Sequence, residues 1–373
     1  MTNRLVRGRL FFDRDYHIHL GGAIPRSFIA DWINDGRLSL NDEIPDLVAV
    51  SEHGNIPIIT VRQALLRYRG VAPSQLDLDG RDIYLSAYDT PAYTSLPTFL
   101  TLYRAYSNRK LVHEHASQIA RGSLVQPYAD IRISIPHPNS EQQYDESPSD
   151  YAKRALGEMH YFHSACCPFP RQTFNKNENW SYFASFVDLL ESMTDNISWA
   201  KPDQLAFDFA GQPLPLTLTL PLLEKLRNNF PSAFISYHHG EVCPHIPFSD
   251  RVRDTSLLLP YVNRIGHGLC IGLAVLGMGI NPDKGGSTNK EVIESNKEVA
   301  FECLDQMSKL NIGIEVSPTC NISLGGARDK QTLRRYVNAF LDAGVNVFVG
   351  TDDPGFLGTS LENEVAILKG VDL

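Results

Sequence analysis

Short apolar runs that stop on histidines, acids or glycines recur along this 373-residue chain, and they constrain its fold more than any other feature. The runs are Phe11–His19, Tyr128–Ile135, Leu205–Phe209, Phe234–His238, Asn263–His267, Ile312–Val316 and Val345–Gly350. An eighth, weaker run lies near Arg171–Asn175. Most are followed, after a loop, by a helical pattern. Phe183–Met193, Leu216–Phe230, Asn296–Leu310 and Gln331–Ala343 carry apolar residues near i, i+3, i+4 spacing. Strands alternating with helices predict a parallel sheet covered by helices, and eight such strands predict a (β/α)8 TIM barrel rather than an open sheet.

The length suits one barrel with insertions, so residues 1–373 are read as a single domain. Residues 26–124 contain helical patterns and no confident strand, which predicts a largely helical insertion between the first and second strands, over the barrel mouth. Ser39–Ile59, Gly70–Leu96, Pro136–Asp150 and Gly277–Thr288 are rich in Pro, Gly, Asp, Asn and Ser and read as linkers or insertions.

Composition excludes several classes. Hydrophobic residues make up 43% and charged residues 21%, which is ordinary for a folded globular protein and excludes dominant disorder. The net charge of −9 argues against a dedicated nucleic-acid or anionic-membrane binder. No apolar run approaches membrane-spanning length and no signal peptide is visible. The six cysteines form no C-x-x-C pair, so a thiolate zinc site is not expected and the thiols read as reduced, in a cytoplasmic protein.

Five clusters fall at the C-terminal ends of the predicted strands, where a barrel of this kind carries its active site. His17 and His19 stand two apart on a strand, so both imidazoles point to one face. His238-His239-Gly240-Glu241 ends a strand in histidines, turns, and presents a carboxylate. Arg264-Ile265-Gly266-His267-Gly268 holds an imidazole between two glycines. Glu315–Asn321 is a strand followed by a polar turn, read as structural support. Asp352 and Asp353 are adjacent acids at the end of an apolar strand, a costly pairing unless a cation lies between them. His17, His19, His238 and Asp352 make three imidazoles and one carboxylate, a donor set suited to Zn²⁺ with an open position for water. Glu241, His267 and Asp353 then remain for proton transfer and substrate binding.

Taken together, HIHLGG, HHGE, RIGHG, EVSPTCN and TDDP resemble, in this order, the adenosine/AMP deaminase family of metal-dependent hydrolases, with its patterns H-x-H-L-x-G, H-A-G-E, R-I-G-H-G, E-x-C-P-x-S-N and T-D-D-P. Smaller echoes are Ser95–Leu100, Asp130-Ile131-Arg132 and Asp208-Phe209-Ala210-Gly211. The resemblance implies zinc held by His17, His19, His238 and Asp352, with His239 standing where the family has alanine. It implies Glu241 as the proton donor to the purine N1, His267 as the group that orients and deprotonates the attacking water, Asp353 at N7 and the Gly211 N–H at N3. The implied reaction replaces the C6 amino group of adenosine or an adenine nucleotide by oxygen and releases ammonia. The partner is a small purine nucleoside or nucleotide; an oligomer is compatible with this.

Gly21 stands where adenosine-specific relatives have an acid that contacts the ribose 5′-OH. Its lack of a side chain favours a nucleotide such as AMP or ATP, since a carboxylate there would repel a phosphate. Arg26, Arg104, Arg109, Lys110 and Arg132 lie in or near regions that could reach the mouth, and most of them read as ordinary surface charges. The stretch between Leu269 and Ile312 is longer than the family pattern requires, and little chain follows Asp352, which reads as a domain cut from a longer protein or an unusual closure. The rival readings are another metal-dependent amide or phosphoester hydrolase on the same barrel, and a non-catalytic deaminase-like subunit.

Overall fold

The computed structural model describes residues 7–46, 48–49, 57–68, 96–106, 109–115, 118–119, 122, 124–125, 129–134, 164–168, 206–210, 216–240, 247–278, 289–324 and 326–370. Its main sheet is wholly parallel. The strands are β1 (Leu10–Phe11), β2 (Ile18–His19), β5 (Ile131–Ser134), β6 (Ser164–Pro168), β7 (Ala206–Ala210), β8 (Phe234–His239), β9 (Arg264–His267), β10 (Gly313–Val316) and β11 (Val347–Val349). They run in the order β1-β11-β10-β9-β8-β7-β6-β5-β2.

These nine segments make eight staves of a barrel, because β1 and β2 are successive pieces of one. β1 pairs with β11 through Leu10–Val347, β2 pairs with β5 through Ile18–Ile131, and a parallel bridge from Ile18 to Asp352 joins the last stave to the first. The single strand expected over Phe11–His19 is therefore broken. Its break contains Asp15, a buried carboxylate that accepts from the His17 N–H at 3.1 Å, the Thr351 N–H at 3.1 Å and the Thr351 hydroxyl at 2.5 Å. A strand spends its backbone groups on ladder bonds; here a side chain takes over two of them and pins the first stave to the last.

The weak run near Arg171–Asn175 lies outside the described residues. The stave between β5 and β7 is Ser164–Pro168 instead, a run ending in proline. Proline removes a ladder donor, which hides such a segment from a propensity reading. The helical pattern at Phe183–Met193 also lies outside the described residues.

Helices cover the outside of the second half of the barrel: α5 (Leu216–Asn229), α6 (Phe248–Leu258), α7 (Leu269–Val275), α8 (Lys290–Leu310), α9 (Pro318–Ser323), α10 (Lys330–Asp342), α11 (Pro354–Leu357) and α12 (Leu361–Leu368). Their ends follow local rules. The Asn289 side chain accepts from the Glu291 N–H to start α8, and Asn311 stops it with φ of 55°, a left-handed conformation asparagine tolerates. Asp329 and Ser360 cap α10 and α12 in the same way. The expected helices Leu216–Phe230 and Gln331–Ala343 match α5 and α10, while α8 begins six residues before Asn296 because its cap lies at Asn289.

The insertion after β2 contains α1 (Arg26–Asn34), α2 (Val61–Tyr68), α3 (Leu96–Tyr106) and α4 (Arg109–Glu114). It also contains a two-stranded antiparallel sheet, β3 (Glu43–Pro45) with β4 (Ile58–Thr60), inside the stretch read as a linker. The pairing is non-local and each strand has three residues, so no alternation long enough to register precedes it.

Two apolar clusters result. One fills the space between β7–β11 and the outer helices, with Phe207, Leu226, Tyr336 and Phe340 at its centre. The other joins Ile18 and Leu20 to Trp32, Leu65, Leu102 and Phe356, packing the insertion against the loops that follow β10 and β11.

Candidate active site

Five of the sequence-predicted residues converge where β2, β8, β9 and β11 end. His17, His238, His267 and Asp352 are buried and His19 is partly open. His17 Nε2 lies 3.3 Å from His19 Nε2 and 3.4 Å from Asp352 Oδ1, and His19 Nε2 lies 3.3 Å from the same oxygen. A tetrahedral ion about 2.0–2.1 Å from each donor requires donors roughly 3.3–3.4 Å apart. All three edges meet that requirement.

His238 sits beside this trio, with ring centroids 4.6 Å from His17 and 5.2 Å from His19. Its Nε2 is engaged with Asp208 at 3.1 Å and Arg132 Nη1 at 3.0 Å. The overlapping donor groups are His17–His19–Asp352, His17–His238–His267, His19–Asp208–His238 and His267–Cys320–Asp352, so His238 shares one group with His17 and another with His19. His239, the next residue, faces the other side of the strand. Its Nε2 lies 2.6 Å from the Arg251 carbonyl, and burial pushes its pKa down to about 4.

Beneath the imidazoles lies a charge network that the sequence reading undervalued. Glu315, read as structural support, reaches His17 Nδ1 at 3.0 Å, receives the Ser236 hydroxyl at 3.1 Å and pairs with Arg132 Nη2 at 2.6 Å. Burial alone would raise its carboxyl; the Arg132 charge and the His17 contact hold it well below the usual range. A carboxylate at Nδ1 fixes the proton there and turns the Nε2 lone pair toward His19 and Asp352. Asp208 is likewise held down by Arg132 and His238 against the effect of burial.

Arg132 is corrected by this arrangement. Its side chain points into the barrel among Glu315, Asp208 and His17, where its Nη1 comes within 2.5 Å of His17 Nδ1, rather than toward the mouth. It is not available for a substrate phosphate. Asp208, Arg132 and Glu315 each stood in the quoted motifs; the signal that marks them is their place on the inward face of neighbouring staves.

Asp352 has φ of 65° and His267 φ of 63°, both in the left-handed region. Non-glycine residues there are uncommon and carry strain of order 1–3 kcal/mol, which surrounding structure must hold in place. Burial would raise the Asp352 carboxyl, but the His17 bond and the imidazoles of His17, His267 and His19 hold it well below the usual range. Burial pushes His19 down, which leaves it neutral and able to donate a lone pair.

His267 is fixed from behind. Its Nδ1–H donates to Asn321 Oδ1 at 3.1 Å, and Asn321 Nδ2 donates to the Tyr336 hydroxyl at 2.9 Å and lies 3.4 Å from the His267 carbonyl. A carbonyl only accepts, so it sets which end of the amide faces the ring. The glycines flanking His267 are required: a Cβ on Gly266 would come within 3.2 Å of His238, and one on Gly268 within 2.6 Å of Ile314.

Asp353 is buried beside Gly22, where a Cβ would lie 1.8 Å from its Oδ1. The second glycine of HIHLGG therefore exists to admit this carboxylate. Gly21 lies alongside in the short 3-10 turn Leu20–Gly22. Glu241 and Gly211 lie outside the described residues. Arg26 opens α1 and Arg104 lies in the last turn of α3; Arg109 and Lys110 start α4.

The fold is a parallel eight-stave barrel with imidazoles and carboxylates gathered at its C-terminal rim. The adenosine deaminase family model matches residues 232–371, the part of the chain that carries HHGE, RIGHG and TDDP. A sequence search of the curated proteins finds no match. Among solved structures, the N6-methyl-AMP deaminase from Arabidopsis thaliana is similar over 99% of this chain and 87% of its own, at 15% identity and a TM-score of 0.54. The adenine deaminase from Arthrobacter aurescens is similar over 98% and 88%, at 16% identity and 0.55. An amidohydrolase from Burkhoderia ambifaria with bound Zn is similar over 98% and 80%, at 13% identity and 0.52. At these identities the likeness establishes the fold.

Proposed function

We propose that this protein is a zinc-dependent hydrolytic deaminase that converts the 6-amino group of an adenine nucleoside or nucleotide to a 6-oxo group with release of ammonia. The observation that carries this reading is the donor triangle of His17, His19 and Asp352, whose edges of 3.3–3.4 Å suit one small divalent ion. The family match over 232–371, which contains the HHGE, RIGHG and TDDP motifs, supports a purine as substrate.

When bound, the metal would lower the pKa of a water molecule toward neutrality, as zinc does. The chain's own residues supply the rest. His267, with Nδ1–H tied to Asn321, keeps its Nε2 lone pair for the proton of the attacking water. Asp353, seated against Gly22, is the residue that contacts the purine N7. Glu241, next to Gly240 at the end of β8, is the acid that protonates N1. Such a group must arrive protonated, and burial under a purine favours that state.

Gly21 sharpens the substrate further, because no side chain competes for the 5′ end of the sugar. Phosphorylated substrates such as AMP or ATP are accepted at least as well as adenosine. The Arabidopsis relative, named for N6-methyl-AMP, is a nucleotide enzyme by that name and supports this choice. The test is ammonia release from adenine, adenosine, AMP, ATP and N6-methyl-AMP, with kcat/KM for each. A preference for adenosine of more than about tenfold, roughly 1.4 kcal/mol, over every nucleotide overturns the nucleotide reading. Absence of ammonia from all five with metal-loaded protein overturns the deaminase reading.

A further inference from the structure

Cys320 is buried in the first turn of α9, immediately before Asn321. Its Sγ, a ring nitrogen of His267 and a carboxylate oxygen of Asp352 all lie within 4.8 Å of one another, and all three residues are buried. The other two described cysteines of known state differ. Cys270 and Cys303 are also buried, but their thiols face the carbonyls of Arg251 and Val252 at 3.9 and 4.0 Å and are pushed up to about 11 and about 12 by burial. Neither belongs to a cluster of metal donors among the described residues. The family pattern E-x-C-P-x-S-N, laid on Glu315–Asn321, places a cysteine at Ser317 and a serine at Cys320. In this chain the two are exchanged, and the thiol is the one brought against His267 and Asp352.

We propose that His267, Cys320 and Asp352 form a second, thiolate-containing metal position that takes a soft or borderline divalent cation, Zn²⁺ or Cd²⁺, and that filling it switches off catalysis. Asp352 belongs to both positions. A carboxylate has two oxygens and can serve two ions, one beside His17 and His19 and one beside His267 and Cys320. The Asn321 contact holds the proton on Nδ1 of His267, so Nε2 is the nitrogen with a lone pair to give. Thiolate, imidazole and carboxylate together form an ordinary zinc donor set, and the sulfur makes it selective for soft ions over Mg²⁺ or Ca²⁺.

The binding step is an exchange without electron transfer. The Cys320 S–H bond breaks, a sulfur–metal bond forms, and the proton passes to solvent. The His267 nitrogen becomes a ligand and is withdrawn from proton transfer. The inhibitory consequence rests on the proposed deaminase reading; the binding itself does not.

Metal-free, reduced protein titrated with Co²⁺ alone tests both parts. The first equivalent should give visible d–d absorption with no sulfur-to-cobalt charge-transfer band, as expected for the His17, His19 and Asp352 donors. The second should add that band in the near ultraviolet, and the rate of ammonia release should fall in step with it. Cys320→Ser should lose the band and raise the Co²⁺ concentration needed for inhibition at least about tenfold, a change of about 1.4 kcal/mol. The proposal is overturned if the wild-type protein shows no sulfur band, if the band comes with the first equivalent, or if it survives undiminished in Cys320→Ser. A Cys320-dependent band on the second equivalent in protein that releases no ammonia from any purine upholds the metal position and overturns the deaminase reading instead.

Discussion

The two apolar clusters divide the site between them. The cluster around β7–β11 carries His238, His267 and Asp352 on staves whose backbones it clamps from outside, with Leu226, Tyr336 and Phe340 fully buried. The cluster around the insertion carries His17 and His19 on β2, whose Ile18 and Leu20 pack with Trp32, Leu102 and Phe356. The residues of the candidate site therefore meet at a seam. The first cluster is a barrel wall like any other; the second ties the rim loops to α1 and α3. A barrel wall can lose packing and still present its rim residues, whereas loss of packing at the seam displaces half of the donor set from the other half.

Removing the seam's donors gives the largest effect. His17→Ala together with His19→Ala should abolish measurable ammonia release and bring bound metal, read by elemental analysis, well below one per chain. An undiminished metal content would break the division of the site described here. Glu241→Gln is next. It removes the proton and leaves the donors, so activity should fall by ~10²–10⁴ while metal content and thermal unfolding stay as in the parent. Near-normal turnover would place the proton donor elsewhere.

Two phenylalanines then test whether the clusters differ in kind. Phe356, whose ring lies 5.0 Å from Tyr103 and 5.5 Å from Tyr106, bridges α11 to α3, while Phe340 lies within the first cluster beside Tyr336 at 5.4 Å. Either Phe→Ala change should cost about 3–5 kcal/mol in denaturant unfolding. Only Phe356→Ala should also weaken metal binding at a temperature where both variants are folded. Equal metal affinities would mean that the seam is no softer than the wall. Glu315→Gln keeps the shape of the side chain and removes the charge that faces His17 and Arg132; a loss of ~10–100-fold in metal affinity is expected, measured by competition with a chelator.

The smallest effect concerns the wall's own titration. Glu364, buried in α12, accepts from the Thr319 N–H at 2.8 Å and from the Thr359 hydroxyl, and burial pushes its carboxyl up from 4.5 to about 7. A carboxyl raised in the folded state binds its proton more tightly there than in the unfolded chain. Its contribution is therefore full below about pH 4.5 and is lost as pH rises toward 7. Glu364→Gln should flatten the dependence of Tm on pH across that window. An unchanged slope would show that the charge of Glu364 is relieved by another route.

Much of this was legible in the chain. The staves β8, β9, β10 and β11 announce themselves as apolar runs that end in HHGE, RIGHG, EVSPTCN and TDDP, and their order led to the barrel and to the resemblance that the family model over residues 232–371 shares. Other parts were hidden for physical reasons. The split between β1 and β2 depends on Asp15 reaching Thr351 across the closed barrel, a contact no local pattern encodes. β3 and β4 exist only because they pair with each other. Glu315 read as an ordinary strand acid because its partners, His17 and Arg132, come from staves far away in sequence. Arg132 read as a surface charge because burial of an arginine becomes affordable only when Glu315 and Asp208 are already beside it.

The join between Asp15 and Thr351 spans 336 residues. A ribosome adding roughly 5–20 residues per second needs roughly 20–70 s to supply that stretch. During that time β2 is already outside the tunnel with its two imidazoles and without Asp352. The growing chain thus passes through a stage in which the histidines are displayed before the third corner of their triangle exists. Assembly of the His17, His19 and Asp352 triangle is consequently a late event in the life of each molecule, timed by translation of the TDDP segment.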